Sequence, residues 1–579
     1  MGEASVSGTR VTASSARSSG AAGARPSGDG LRPWVVPAVI IATTLLALGL
    51  RLYDLSRPGY LLGISEYDDG TDFGSAIRLV HGALPYRDFI MVQPPGITLI
   101  MFPVALATKA LGTGIAMAVA RVVTVLASVA AVPVAGLLTR HRGLFATLVT
   151  CGVLAVYPDS ILGSRTVLLE PWLVLFCLLG ALAVFDGDRV ASSNRRLLLG
   201  GVLFGFAGAV KVWAILPVVV ILVLTARRPR RAAIYAAGVA AGFCVPVLPF
   251  ALTAPGTFYR SVIVAQLVRN DITRIPEGYR LQQMLGLTHV SELATPALVI
   301  IGVVFVVLIA GVTVLGSRLA HSRPPALDWF ATGTCALVVA AFLWPADFYY
   351  HYAAFLAPFL ALAIALPVSR LLAALSARGS TPPPRGQAPG PHGPEPPDGH
   401  KAAVTPSPRP WPTIGGTRRW AAPIRPGATI VAALAIVVMA VLQVFGESHE
   451  YAGIPASEIS AVQRLIPPGA CVATDQVSFT IAIDRFVSTV PGCSLMIDGV
   501  GTDYALSNGR NGQTGAGSSP AVAAAWMSAF RAARYAWLTS EAYRRIPWTP
   551  QLRAYFDSHF TPLLKGDNPL YVRKAHQTG

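Results

Sequence analysis

Long apolar runs separated by short polar connections fill most of the chain from residue 34 onward. Runs near bilayer-spanning length fall at 34–52, 114–138, 143–160, 166–185, 198–210, 213–226, 232–252, 295–317, 326–345, 352–375 and 427–446. A hydrocarbon core needs roughly 17–25 such residues per helix. The pattern therefore predicts a polytopic α-helical membrane protein with about 11 transmembrane helices. The pair 198–210 and 213–226 is short on each side of Lys211 and reads either as two short spans or as one broken helix. The run 96–112 reads two ways as well: it is apolar, yet it carries Pro103 and follows Gln93-Pro94-Pro95-Gly96.

Basic residues decide the orientation. The formal net charge is +17, mostly from Arg. These residues stand between apolar runs, not in a stretch interleaved with aromatics as a nucleic-acid groove requires, so nucleic acid is not a partner. Suppose that 96–112 lies at the interface or packs against the bundle from outside, with the N-terminus in the cytoplasm. Then Arg140-His141-Arg142, the Arg189 to Arg196 loop, Arg227-Arg228-Pro229-Arg230-Arg231, Arg318 to Arg323 and the linker 376–426 all fall in the cytoplasm, as the positive-inside rule demands. A spanning 96–112 would flip most of them. The favoured arrangement puts the loop 53–113, Glu170, Lys211, the 253–294 loop, Asp347 to His351 and the segment 447–579 on the outer face of the plasma membrane.

Composition divides the rest. Residues 1–33 are rich in Ser, Ala, Gly and Arg and read as a disordered cytoplasmic N-terminus. Residues 376–426, with TPPPRGQAPGPHGPEPPDGH, read as a Pro-rich cytoplasmic linker. After the last span, 447–579 alternate short apolar runs (CVATD, FTIAI, YAWLT, LYVR) with helical candidates at Ala456–Leu465 and Pro520–Ala533. That predicts a small extracytoplasmic α/β domain. Cys471 and Cys493 are its two cysteines and are candidates for a disulfide; the other four lie within spans and read as packing residues.

Against this apolar background, Ser65-Glu66-Tyr67-Asp68-Asp69-Gly70-Thr71-Asp72 places four carboxylates in eight residues. Each ionised Asp would cost roughly 2.5–3.5 kcal/mol at the bilayer centre, so the cluster belongs in a wet outer loop. Phe73, Ile77 and Val80 have helical spacing and predict a short amphipathic helix lying on the membrane, presenting the acids to the bundle opening. Thr71 and Asp72 read as helix caps; Asp68 and Asp69 together exceed what one cap needs and read as functional, since a carboxylate in hydrogen-bond reach of a hydroxyl acts as a general base. Asp88 reads as pairing with Arg87. Glu170, at the outer mouth of a span, is a functional candidate with Arg165 as a partner, weighed against a solvated interfacial carboxylate. Lys211, between two half-helices, suits a phosphate or carboxylate, or simply snorkels. Arg121, inside a span, needs an anionic partner or water. His351, in Asp347-Phe348-Tyr349-Tyr350-His351-Tyr352, stands among tyrosines that fit an aromatic belt and can bond phosphate or sugar. Gln266, Arg269, Asn270, Asp271 and Arg274 read as solvated surface more than as a headgroup grip.

These residues resemble a family. Asp68-Asp69, the following helix, Gly82-Ala83-Leu84-Pro85-Tyr86-Arg87-Asp88-Phe89 and Gln93-Pro94-Pro95-Gly96 resemble the first outer loop of the GT-C membrane glycosyltransferases, in their protein-mannosyltransferase-like (glycosyltransferase family 39-like) branch. Ser164-Arg165 through Glu170-Pro171 resembles that branch's second acidic site, and GFAGAVKVW, Gly205 to Trp213, its Gly-rich stretch ending in a Lys-containing motif. The resemblance covers most of 34–375, which it makes the catalytic domain. It implies transfer of a sugar from a polyprenyl-phosphate donor to an acceptor hydroxyl on a glycan, glycolipid or protein at the outer face. By the match Asp68 is the base and Asp69 binds acceptor or metal. Glu170, with Glu66 as an added acid, lines the acceptor side; Lys211, Arg121 and His351 are candidates for the phosphate. Asp69 departs from the pattern, where Glu is common. No cofactor is required by this reading, and dependence on a divalent metal stays open. The Arg-, Ala- and Gly-rich composition fits a high-GC bacterium such as an actinobacterium. Two alternatives stand beside it: a transporter or flippase of a lipid-linked sugar, and a non-catalytic envelope assembly protein. Acids clustered in one outer loop instead of at the midplane, and the absence of a repeated half, weigh against transport.

Overall fold

The computed structural model describes residues 33–267, 274–290, 293–379, 426–449, 453–507 and 519–574. The readings of residues 1–32 and 380–425, and of Arg269, Asn270 and Asp271, lie outside them.

The chain is a polytopic helical membrane protein. Among the described residues seven helices are long and apolar enough to cross a membrane by length and composition: Val35–Ser56, Thr113–Arg142, Pro229–Ala251, Thr295–Leu319, Ala326–Leu343, Tyr352–Arg378 and Gly427–His449. Shorter apolar helices occupy the remaining expected positions at Leu144–Val156, Glu170–Val184, Asn194–Val210 and Val212–Thr225. Burial sorts them by depth in the bundle. Thr295–Leu319 buries just Leu298 and Gly316 and offers the rest of its apolar surface outward, as a helix facing lipid does. Tyr352 to Leu366, in contrast, contributes Phe355, Leu356, Phe359, Leu362 and Leu366 to the core.

Glycines fix the partner of the helix that leads to Lys211. A Cβ on Gly201 or Gly205 would stand 2.3 or 2.2 Å from the carbonyl oxygens of Tyr235 and Val239, and one on Gly238 or Gly242 would meet Leu198 and Val202 as closely. Asn194–Val210 and Pro229–Ala251 thus lie backbone against backbone, the small-residue packing that apolar surroundings favour. The first of these helices stops at Val210; Lys211 is extended (φ −150°, ψ 131°), and a short 3-10 turn leads into Ile215–Thr225. The break at Lys211 expected from the sequence is present as two helices.

Helix Gly96–Leu106 has 11 residues and reaches about 16 Å, half the hydrocarbon thickness. It packs on helix Tyr67–Val80, where Ser75 and Thr98 share a hydrogen bond of 2.7 Å. Helix Tyr67–Val80 itself does not lie on a membrane surface. Every residue from Asp69 to Arg78 is buried, because Gly96–Leu106 covers one side and the C-terminal segment the other. The polar side chains of this helix are covered too: Thr71 Oγ1 donates to the Ile497 carbonyl and Arg78 to that of Ser494.

The C-terminal segment is an α/β unit. Strands β1 (Phe185–Asp186) and β2 (Arg189–Val190) form a small hairpin elsewhere; β3 (Val472–Ala473), β4 (Tyr535–Trp537), β5 (Phe560–Leu564) and β6 (Leu570–Arg573) form a mixed sheet in the order β3-β4-β6-β5, parallel only between β3 and β4. Helices Ala456–Leu465, Pro520–Ala532 and Pro550–His559 surround it, and Trp526, Phe530, Phe556 and Phe560 fill the core. The run FTIAI, taken for a strand candidate, is helix Ser478–Ala482: its apolar residues must reach both helix Tyr67–Val80 and the sheet, which a turn of helix achieves. Cys471 and Cys493 are joined as a disulfide.

The contact between the two parts is tight at Gly70, where a Cβ would lie 2.2 Å from the Ser478 backbone nitrogen. Backbone cannot yield as a side chain can. Gly70→Ala is expected to lower stability by about 1–3 kcal/mol and to loosen the C-terminal unit, seen as a lower Tm and faster limited proteolysis within 453–574; an unchanged digestion pattern would contradict this packing.

Candidate active site

Helix Tyr67–Val80 begins at Glu66, whose carboxylate accepts from the Tyr67 amide at 3.0 Å. Glu66, and not Thr71 or Asp72, is the cap, which leaves the three aspartates inside the helix. Successive helical residues diverge by 100°, so Asp68 and Asp72 share a face and Asp69 points elsewhere. The acidic pair is thereby split.

Asp69 turns into the protein. Its Oδ2 accepts from Arg121 Nε at 3.0 Å and from Arg121 Nη2, and its Oδ1 accepts from the Val167 amide at 2.8 Å. Arg121 also donates to the carbonyls of Leu61 and Gly63 at 2.8 and 3.0 Å. Both side chains are fully buried. A role for Asp69 at the acceptor or a metal, and for Arg121 at the phosphate, does not fit this geometry, because each is consumed by the other and neither lines the cavity described next.

That cavity measures about 280 Å³. One wall is the acidic helix, with Glu66, Tyr67, Asp68, Thr71 and Asp72; a second is Tyr349 to Tyr352; Lys211 and Leu169 stand deep in it; Asp498, Gly501, Glu541, Arg544 and Arg545 of the C-terminal unit close it from above. Asp68, Lys211 and His351 of the sequence-selected candidates line it, and Glu170, expected on the acceptor side, lies outside the lining and holds two of them. Lys211 Nζ donates to Glu170 Oε1 at 2.5 Å, and His351 Nδ1 stands 2.9 Å from the same oxygen. The other ring nitrogen of His351 is 3.9 Å from Asp68 Oδ2. Lys211 also lies over the rings of Trp213 and Tyr352, at 3.7 and 4.5 Å from their centroids, a placement that offsets the loss of water around a buried ammonium. Glu170, Lys211 and His351 are buried, whereas the Asp68 side chain is 45% exposed. Glu66 also lines the cavity and accepts from the Tyr350 hydroxyl at 3.0 Å.

Arg165 is not the partner of Glu170. It pairs with Asp54 at 3.3 Å and Glu447 at 3.8 Å, tying the first long helix to Pro426–His449. Asp88 pairs with Arg87 at 2.7 Å, and this bond holds its carboxyl below the ordinary range. Gln266 donates to the Val92 carbonyl and Arg274 to those of Leu343 and Trp344. Among the described residues no group of three or more His, Cys, Asp or Glu side chains is arranged to hold a metal ion.

Several cavity residues escaped the sequence reading. Tyr67 donates to Asp498 Oδ1 at 2.9 Å and accepts from the Gly499 amide at 2.9 Å, with Arg545 over its ring; burial, then the Asp498 charge, keep its hydroxyl well above its ordinary pKa. Asp498 caps helix Gly499–Leu506 through the Gly501 amide. Nothing in the sequence joins residues 498 or 545 to residue 67. Asp72 carried a signal, its four-residue spacing from Asp68.

The arrangement combines a half-exposed carboxylate with two cationic or cation-capable groups held on a buried glutamate, all under cover. Such a site can accept a proton from a hydroxyl and stabilise an anion beside it. Residues 92–345 match the family model of glycosyltransferase family 87. The fold is similar to the crystal structure of ArnT from Cupriavidus metallidurans bound to undecaprenyl phosphate, with a TM-score of 0.56 at 13% identity over 94% of this chain and 99% of that one. The apo state of the same protein gives a TM-score of 0.53 at 14% identity, over 93% and 98%. The Archaeoglobus fulgidus oligosaccharyltransferase in complex with Zn and sulfate gives 0.45 at 13% identity, over 87% and 68%. No curated protein matches the sequence.

Because Asp69 and Arg121 are each other's main partner in a fully buried place, Arg121→Ala is expected to cost about 3–5 kcal/mol and to fail in folding before it fails in chemistry. Asp69→Asn keeps the shape but removes the charge, so a lowered Tm in detergent is the expected result for both. Wild-type stability of either variant would show that the pair does not anchor the helix.

Proposed function

We propose that this chain, whose fold is that of the GT-C membrane glycosyltransferases, transfers a sugar from a polyprenyl-phosphate donor to an acceptor hydroxyl, with Asp68 as the general base. The observation that carries the reading is that Asp68, His351 and Lys211 line one cavity, with His351 3.9 Å from Asp68 and both His351 and Lys211 against the buried Glu170 beneath the lining. A base and the cations for a leaving phosphate stand side by side. A fold shared with a protein crystallised on undecaprenyl phosphate supports a lipid-linked donor.

The acceptor oxygen attacks the anomeric carbon while its proton passes to Asp68. The bond from that carbon to the phosphate oxygen breaks, and the electron pair leaves with the polyprenyl phosphate. Lys211 has three N–H bonds and spends one on Glu170; the others are free to meet the phosphate, joined by His351 when it is protonated. Glu170 places these two groups and does not itself touch the reacting atoms. The apolar helices around the site give a polyprenyl chain an environment like its own, so the headgroup enters from the side and the tail stays in the bilayer.

The outer face is the side that fits. The connections 140–142, 189–196, 227–231 and 318–323 and the linker 376–426 are cytoplasmic in that arrangement, and the Cys471–Cys493 disulfide belongs to an oxidising compartment.

Purified protein incubated with a panel of polyprenyl-phosphate sugars and glycan, glycolipid and peptide acceptors is expected to release polyprenyl phosphate with one of them. Asp68→Asn should lower that rate roughly 10²–10⁴-fold with an unchanged Tm; undiminished transfer would remove Asp68 from the mechanism. In cells, Asp68→Cys should react with an impermeant thiol reagent added from outside, and labelling only after the membrane is opened would place the site on the wrong side.

A further inference from the structure

Asp72 has no part in the chemistry described so far. It stands one helical turn after Asp68, reaches the same cavity, and is only 3% exposed. Among the described residues its Oδ2 has no hydrogen-bond partner. A buried carboxylate that is ionised and unpaired is the least tolerable state of that group. Its surroundings make the charge harder still to hold. Asp68 faces it from its own helix, Glu170 from the start of the helix below, Asp498 from the C-terminal unit and Lys211 from the helix break. These are three carboxyl groups against one ammonium, and the ammonium is already bonded to Glu170. His351, on the remaining wall, is engaged with Glu170 and Asp68. Burial, and then repulsion from Asp68 and Glu170, hold the Asp72 carboxyl well above the ordinary carboxylate range.

We propose that Asp72 is a second catalytic residue, a neutral carboxylic acid whose O–H donates a hydrogen bond to a sugar hydroxyl in the cavity beside the ionised Asp68. The proposal rests on the glycosyl-transfer reading. A neutral acid offers one donor and one acceptor, which is what a hydroxyl needs. It also adds no further negative charge to a cavity that has to admit a phosphate. Two carboxyls of one helix thus take opposite protonation states because one is half in water and the other is not.

The test uses the full chain in lipid nanodiscs, with Asp72→Asn and Asp72→Ala beside Asp68→Asn. An amide keeps a neutral donor and acceptor at nearly the same reach; alanine has neither. Asp72→Asn is expected to keep transfer within about threefold of wild type, and Asp72→Ala to lose about tenfold or more. The working form is the protonated one, so wild-type activity should fall as the pH rises through the raised pKa, and Asp72→Asn should abolish that alkaline decline. The acid limb, where Asp68 takes up a proton, should remain. Independently of turnover, infrared difference spectra of wild type against Asp72→Asn should show the carbonyl stretch of a protonated carboxyl at neutral pH. Calorimetry with the donor alone separates two sources of the hydroxyl: weaker donor binding by Asp72→Ala assigns it to the transferred sugar, and a raised KM for acceptor only assigns it to the acceptor. A missing carboxyl band, or a loss in Asp72→Asn as deep as in Asp68→Asn, overturns the proposal. If wild type transfers sugar from no donor, the reading of the reaction falls and this role with it, whatever the infrared band shows.

Discussion

The rotational setting of one helix governs the site, and the bond between Asp69 and Arg121 sets it. A helix presents each residue at a fixed angle to its neighbours. Once Asp69 is clamped by Arg121 and by the Val167 amide, Asp68 and Asp72 have to face the other way, into the cavity. A rotation of one residue would bring Asp69 in and bury Asp68. The energetic asymmetry explains why the clamp holds: two buried charges that satisfy each other are roughly neutral in cost, whereas parting them leaves a bare charge in a dry place, at about 3–5 kcal/mol. Arg121 adds to this by gathering the Leu61 and Gly63 carbonyls, so the loop that leads into the helix is fixed by the same guanidinium.

Glu170 plays the corresponding part for the cations. Lys211 comes from a gap between two helices and His351 from the turn before another, and neither location alone would bring the two groups together. One buried carboxylate oxygen holds both, at 2.5 and 2.9 Å. The Gly-lined contact between Asn194–Val210 and Pro229–Ala251 matters here, because it fixes where the first of these helices ends. The Lys211 ammonium and the His351 ring are thereby held together on a buried carboxylate, while Asp68 is the more exposed group. That arrangement suits an anionic headgroup lying inward and a neutral hydroxyl arriving from water.

Much of this was legible in the sequence, for identifiable reasons. Apolar periodicity is a local signal, and helices stand along the runs it marked, including the break at Lys211. Glu170 and Lys211 stand out as charges among apolar runs, Asp68 as one of two acids beyond what a cap needs and His351 as a group able to bond phosphate, and the fold brings those four together. The errors share a cause. Asp69, Arg121 and Arg165 were judged by charge and neighbourhood in sequence, while their roles depend on partners 52 or more residues away. Thr71 and Asp72 were read as caps because the actual cap, Glu66, is a residue type less often used there. Phe73 to Val80 looked amphipathic, and its polar side proved to be an interface, since an amphipathic pattern does not say whether water or protein covers the polar face.

The C-terminal unit is what turns a surface of acids into a reaction cavity. It reaches the acidic helix at its first residue, where Tyr67 is held by Asp498 and the Gly499 amide and lies beneath Arg545. Asp68 is the next residue, so the proposed base inherits its position from a contact made more than 400 residues along the chain. Coverage also changes the electrostatics. Water screens exposed carboxylates from one another so that they ionise together; under a protein roof their mutual repulsion grows, which favours the neutral form proposed for the more buried Asp72. The division of labour proposed for Asp68 and Asp72 would therefore depend on the roof as much as on the helix that carries them. By the same argument the site is incomplete without the last quarter of the chain, even though every group that would touch the leaving phosphate comes from the membrane-embedded part.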